Sequence, residues 1–278
     1  MTTNSWPRFG AFSFDFKRGE LDRMIDAFRR TGLTAVQLAG ELLQEVVEEP
    51  GKAVAMKSKL AAGGIGVVAL AGYRNLISPD TAKRAANLTF LKRCLEIAPQ
   101  LGTTVVATET GTRSVESDWV TSAENASPAA WDCFHDALDQ LLPVAERHGS
   151  VLALEGYVNN VLATSDQMVA TLKRYPSKHL GVVLDPYNYL ARDLLPRKEQ
   201  VTREFLARFE GRFVLAHLKD VAAGGAEVNT PEFGTGVFPQ KMYLEFLRDR
   251  RPGLSLILEH LPFDHVPDAI RLAKNLAG

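Results

Sequence analysis

Cysteine is scarce in this sequence. Cys94 and Cys133 are the only two in 278 residues, without the count for a disulfide framework or the spacing of a thiolate metal site. Both fall in segments that read as helical, which predicts reduced packing residues. Long apolar runs are missing too, and none approaches the roughly 20 residues that span a bilayer, so no membrane association is expected. Met1 to Arg8 carries no apolar signal-peptide core, which predicts a cytoplasmic protein. An excess of charge of either sign is absent: the formal net charge is −1 with the signs interspersed. No basic tract could neutralise a phosphate backbone, so nucleic acid is not an expected partner and a small, mildly polar substrate fits better. Histidine does not occur in residues 1–130. Low-complexity tracts, linkers and internal repeats are likewise absent.

What remains is ordinary for a soluble globular chain, 46% hydrophobic and 23% charged, but strongly ordered along its length. Short apolar runs alternate with longer amphipathic ones, a βαβα pattern that predicts parallel sheet covered by helices. Strands are expected at 9–14, 35–38, 66–71, 104–108, 151–154, 181–184, 213–216 and 256–258, with helices at 20–31, 52–62, 81–101, 128–148, 165–175, 200–209, 239–248 and 266–276. Eight of each make a single-domain (β/α)8 TIM barrel over residues 1–278. Gly32, Gly64, Gly102 and Gly149 follow helical runs just before a strand, where left-handed caps belong. Long βα segments, 109–127, 186–199 and 219–238, gather on one face, where binding residues concentrate. A doubly wound open sheet competes, but the turn after the first strand, Phe12-Ser13-Phe14-Asp15-Phe16, lacks its glycine-rich phosphate loop.

Four apolar runs in the second half end in residues that bind hard cations: Glu155, Asp185, His217 and Glu259. Strand C-termini of a closed barrel converge on one face, so four such ligands can meet. Three carboxylates and one imidazole form an oxygen-rich set, which predicts one divalent ion, Mn²⁺ foremost and Mg²⁺ or Co²⁺ also suited.

The segments Leu154-Glu155-Gly156, Leu184-Asp185-Pro186-Tyr187-Asn188, His217-Leu218-Lys219-Asp220 and Leu258-Glu259, in that order, resemble the motifs of the xylose-isomerase-like TIM-barrel superfamily of sugar isomerases, epimerases and inosose dehydratases. Residues 32–38 resemble its second-strand entry and Phe233-Gly234-Thr235-Gly236 its Gly-x-Gly. The resemblance implies that the four ligands hold one metal and that Glu155 and Glu259, on opposite faces of the substrate, double as acid/base groups. A metal polarising a substrate oxygen stabilises an enediolate as a neighbouring carboxylate removes the proton.

Other residues are candidates for supporting roles. Lys219, two residues beyond His217, points into the site if the strand continues, and is a catalytic candidate for stabilising enolate charge. Asp220 either orients Lys219 or closes the next turn. Glu109 at the fourth strand end, Asn188 where related epimerases often carry histidine, and Gln37 where relatives often carry glutamate are expected substrate contacts. Tyr73 and Arg74 are candidates for one pocket wall, and Trp119 and Trp131 for a roof or for loop anchors. His135, His148 and His179 read as structural or solvated; His260 is expected to point away from Glu259, and His265 sits in the last βα loop. The glycines within 219–238 suggest a lid.

The leading expectation is a metal-dependent isomerase or epimerase of a ketose, keto-sugar or cyclitol. A lyase, either an inosose-type dehydratase or a 3-keto-glycoside eliminase, begins with the same proton abstraction. An apurinic endonuclease needs further histidines near the third and fourth strand ends, and a non-catalytic sugar-binding barrel would not need all four ligands. No compact phosphate nest stands out, and a homo-oligomer is compatible with the sequence.

Overall fold

Eight parallel strands close in sequence order into a barrel in the computed structural model, which describes residues 6–278; most of the segment read for a signal peptide lies outside them. The strands are β1 (Arg8–Phe12), β2 (Ala35–Leu38), β3 (Gly66–Ala71), β4 (Val105–Glu109), β5 (Val151–Glu155), β6 (Leu180–Leu184), β7 (Phe213–Leu218) and β8 (Ser255–Leu258). The helices are α1 (Leu21–Thr31), α2 (Gly40–Glu48), α3 (Ala53–Ala62), α4 (Thr81–Leu101), α5 (Pro128–His148), α6 (Ser165–Arg174), α7 (Lys198–Phe209), α8 (Gln240–Arg250) and α9 (Val266–Ala277). Pairing of β1 with β8, Ala11 opposite Leu258, closes the ring. Among the described residues no helix is long and apolar enough to cross a membrane.

Two apolar layers hold the barrel. A large one lies between sheet and helices, where Phe28, Leu42, Leu91, Phe134, Leu141 and Leu244 are buried against outward-facing strand residues such as Val36 and Leu154. A smaller one fills the barrel interior with Ala69, Val105, Ala107, Ala153, Val183, Leu215 and Ile257. The four expected helix-end glycines are left-handed, with φ of 77°, 80°, 87° and 69° at Gly32, Gly64, Gly102 and Gly149, which keeps the αβ connections short.

Two elements differ from expectation. The first strand stops at Phe12, because the Ser13 hydroxyl takes over the pairing: it accepts from the Ala39 N–H at 2.7 Å and donates to the Ala39 carbonyl at 2.9 Å. Helix α2 replaces what reads as connection. Its Leu42, Leu43, Val46 and Val47 are all buried, the i, i+4 spacing of a core-facing stripe.

Candidate metal centre and active site

Alternate residues of a barrel strand point inward, so the site continues the interior layer upward. Glu109, Glu155, Asp185, His217 and Glu259 each lie two residues beyond one of its members, Ala107, Ala153, Val183, Leu215 and Ile257. Glu155, Asp185 and His217 are buried, and their donor atoms all lie within 4.8 Å of one another. Glu259 follows the end of β8, held there by its N–H to the Leu218 carbonyl at 3.0 Å. Three carboxylates converge on one imidazole nitrogen: His217 Nδ1 is 3.1 Å from Glu259 Oε1, 3.2 Å from Asp185 Oδ2 and 3.5 Å from Glu155 Oε2.

A relay of hydrogen bonds sets the direction of that nitrogen. Tyr73 donates to Glu155 Oε2 at 2.8 Å and so accepts from Gln37 Nε2 at 3.1 Å. The Gln37 carbonyl oxygen then faces His217 Nε2 at 3.0 Å. An amide oxygen can only accept, so Nε2 carries hydrogen and Nδ1 is the nitrogen left facing the carboxylates, where its lone pair becomes available to a cation once it gives up its proton. Such an outer partner fixing the tautomer is how metal-binding histidines are prepared. Asp185 Oδ1 is buried without a hydrogen-bond partner among the described residues. An aimed ring nitrogen, an orphaned carboxylate oxygen and an oxygen-rich donor set together fit a divalent cation.

Lys219 lies just beyond β7 with its Nζ 2.7 Å from Asp185 Oδ2 and 2.8 Å from Glu259 Oε2. Burial alone would lower its pKa, but Asp185 and Glu259 outweigh that and raise it well above the lysine range, so it is an ammonium rather than a base. Burial also works against charge on His217, yet the surrounding carboxylates raise its pKa to about 10. The two glutamates diverge. Burial raises Glu155, whereas at Glu259 the same effect is overcome by His217 and Lys219, which lower it. Burial, reinforced by the charge of Glu155, pushes Glu109 well above the usual carboxylate range.

Helix α8 braces the end of β7. Tyr243 donates to the His217 carbonyl at 2.5 Å and to the Leu184 carbonyl at 3.2 Å, and Gln240 Nε2 donates to the Lys219 carbonyl at 2.7 Å. The Asp220 carboxylate closes the turn: it accepts from the backbone N–H of Val221, Gly234, Gly236 and Phe238 at 2.8–3.2 Å. Gly236 must be glycine, since a Cβ there would collide with the Asp220 side chain. Both feet of the expected lid are therefore tied down. Its middle is held by Tyr157 Oη donating to the Ala226 carbonyl at 3.1 Å and by the Ala226 N–H on Leu190 at 2.8 Å.

Two cavities open over the centre. One of about 280 Å³ is bordered by Tyr157, Asn188, Lys219 and the 220–230 loop. The other, of about 610 Å³, runs from Glu155, Lys219 and Glu259 outward along Tyr73, Phe12, Phe14 and Phe90. Glu109 and Trp119 border both. Asn188 borders the smaller cavity and donates to Glu155 Oε1 at 2.7 Å. Gln37 is different: it is fully buried with both amide ends engaged, so it orients His217 and Tyr73 instead of touching substrate. Trp131 packs against Phe134, away from the site.

His260 also departs from expectation. The strand ends at Leu258 and His260 adopts a left-handed φ of 52°, so it borders both cavities. Nothing in the sequence marks that turn. His265 pairs with Glu232 at 2.7 Å on the surface, and His179 contacts the Ser150 carbonyl at 2.6 Å, at the N-terminal end of the barrel.

The sequence model of the family described as xylose isomerase-like TIM barrel matches residues 25–276. Among curated proteins none matches in sequence. The solved structures similar in fold include 3-keto-D-glucoside 4-epimerase YcjR from E. coli, with a TM-score of 0.74 and 18% identity over 97% of this chain and 99% of that one. The probable 3-DHS dehydratase AsbF from Bacillus anthracis has a TM-score of 0.72 and 14% identity over 96% and 99% of the two chains. A xylose isomerase-like TIM barrel protein from Mycobacterium smegmatis in complex with magnesium has a TM-score of 0.71 and 17% identity over 99% and 97%.

Proposed function

Because the chain belongs to the xylose isomerase-like TIM-barrel family, we propose that it is a divalent-metal-dependent isomerase or epimerase of a ketose, keto-sugar or cyclitol. The observation that carries this reading is the convergence of Glu155, Asp185 and His217 donor atoms within 4.8 Å, with Glu259 beside them, at the mouth of the barrel. A cation bound there supplies Lewis acidity that draws charge from a substrate oxygen; the donor set suits Mn²⁺, and also Mg²⁺ or Co²⁺.

Asp185 and His217 serve as ligands. Glu155 and Glu259 also border the larger cavity, where either can take a proton from the carbon next to a carbonyl. Tyr73 and Asn188 fix the Glu155 carboxylate and Lys219 fixes that of Glu259, so neither need reorganise during proton transfer. The two come from β5 and the end of β8, three strands apart around the barrel, and so meet the substrate from different sides. Removal of a proton by one and its return by the other inverts a centre. One carboxylate serving neighbouring carbons isomerises instead. Glu109, whose pKa burial raises, can in its protonated form donate to a substrate hydroxyl, and Lys219 can balance negative charge as it develops.

The test is a screen of ketoses, inososes and 3-keto-glycosides in D₂O with Mn²⁺ and with chelator. Deuterium uptake at the carbon beside the carbonyl, at unchanged substrate mass apart from the label, supports the reading. A product lighter by the mass of water or of an aglycone would make the protein a lyase. Exchange that persists in chelator would remove the metal from the reaction.

A further inference from the structure

We propose that the larger cavity holds a second subsite, for an uncharged aromatic aglycone attached to the sugar ring that reacts, so that the substrate is a glycoside rather than a free ketose. This rests on the reading of the metal centre above and adds what the rest of the ligand must be.

The two cavities divide the work by chemistry. The smaller one presents Asn188, Lys219 and Tyr157, groups that hydrogen-bond hydroxyls. The larger one presents Glu155 and Glu259 at its inner end, and its outer wall is built mainly from Phe12, Phe14, Leu43, Phe90 and Trp119, with Glu41, Gln44 and Arg74 among them. At about 610 Å³ it falls in the range of roughly 300–1,000 Å³ that encloses drug-sized ligands, and a single sugar ring does not need it.

Exposure makes the wall unusual. Phe14 is 58% and Trp119 56% exposed, and they border the same opening. One exposed aromatic is unremarkable, but two on one cavity mark a place where a partner ring supplies the missing contact. Phe14 is also held in place. It stacks on Phe12 with ring centroids 5.1 Å apart and planes at 29°. Gly40, whose left-handed φ of 59° favours glycine, starts α2 beside the Phe14 backbone. The Arg74 side chain on this wall is already engaged: its guanidinium lies 4.0 Å over the Phe90 ring and donates to the Tyr73 carbonyl at 2.7 Å. It extends the flat surface rather than standing free to attract an anion, and the Glu41 carboxylate on the same wall repels one, so an anionic ring is disfavoured. A ring seated there puts its attached sugar between Glu155 and Glu259.

The test uses ligands that carry no ketone and so cannot turn over. Phenyl β-D-glucoside and methyl β-D-glucoside are titrated calorimetrically into the Mn²⁺-loaded full-length protein. Burial of an aromatic face predicts phenyl binding tighter by about tenfold or more, a ratio that falls toward one in Phe14→Ala and in Trp119→Ala. Val54→Ala, exposed on α3, keeps it. Equal affinities in the wild type, no binding of either ligand at millimolar concentration, or a ratio untouched by both aromatic variants overturns the subsite. So does a wild-type dimer that Phe14→Ala dissociates without changing the ratio, since the patch would then face a second copy. Deuterium exchange into methyl 3-keto-glucoside reports the reaction separately. Its failure beside an intact phenyl preference rejects the proposed chemistry and leaves the subsite standing.

Discussion

Gln37 decides which nitrogen of His217 faces the carboxylates. Its amide oxygen holds Nε2–H and its amide nitrogen holds Tyr73, which in turn holds Glu155. Replacing Gln37 by leucine frees the tautomer and loosens both ligands, and loss of such an outer partner typically costs about 10–100-fold in metal affinity. Calorimetric titration with Mn²⁺ checks this, and wild-type affinity in a folded Gln37→Leu protein would discount the relay. The cysteines make a simpler case. Burial pushes the Cys94 thiol to about 12, and its side chain is fully enclosed, whereas Cys133 is only part-buried. The thiolate is the reactive form, so Cys94 should resist a thiol reagent at neutral pH while Cys133 reacts, with two equivalents consumed only after unfolding. Rapid modification of Cys94 in the native protein would show that α4 opens. At this scale the sequence was informative where strand parity applies. Each of Glu155, Asp185, His217 and Glu259 ends an apolar run, and the period of two then orients it. Parity says nothing of Gln37's partners or of the left-handed His260, because both depend on neighbours far along the chain or on a local turn no residue type announces.

Among the elements, the segment after β7 shows Asp220 in one of the two roles read for it, closing the turn, with the Gly-x-Gly as its partner. Asp220 and the Gly-x-Gly near residue 235 are distant in sequence, yet they form one structure in which a single carboxylate accepts four backbone N–H groups. Hydrogen bonds to a charged acceptor contribute more than neutral ones, so Asp220→Ala should release the ends of the loop before the barrel melts. Limited proteolysis should then show faster cleavage within 221–238 while far-ultraviolet circular dichroism stays near wild type. An unchanged cleavage pattern would mean the loop is held by other contacts, such as Tyr157 to Ala226. Glycine caps made the short αβ turns legible, because only a left-handed residue ends those helices without strain. Helix α2 was not read despite its apolar spacing, since its short stripe sits where a βα connection was expected and its N-cap, Ala39, makes no side-chain capping bond.

For the whole molecule, the barrel was legible because eight alternations of two periods leave few other topologies. The cavities were not, because their shape depends on how loops from separate strands lie over the mouth. The central claim is that this mouth holds a divalent cation and uses two of its ligands to move a proton. Glutamine at either position keeps a neutral oxygen near the ion but cannot accept a proton, while Asp185 and His217 remain as ligands. The most direct measurement is solvent deuterium incorporation into a keto-sugar substrate at saturating Mn²⁺, comparing wild type with Glu155→Gln and Glu259→Gln and with the Mn²⁺ affinity of each determined in parallel. A general acid/base group contributes about 10²–10⁴-fold, so a loss of that order in either variant, with metal still bound, is the predicted result; near-wild-type exchange in both would contradict it.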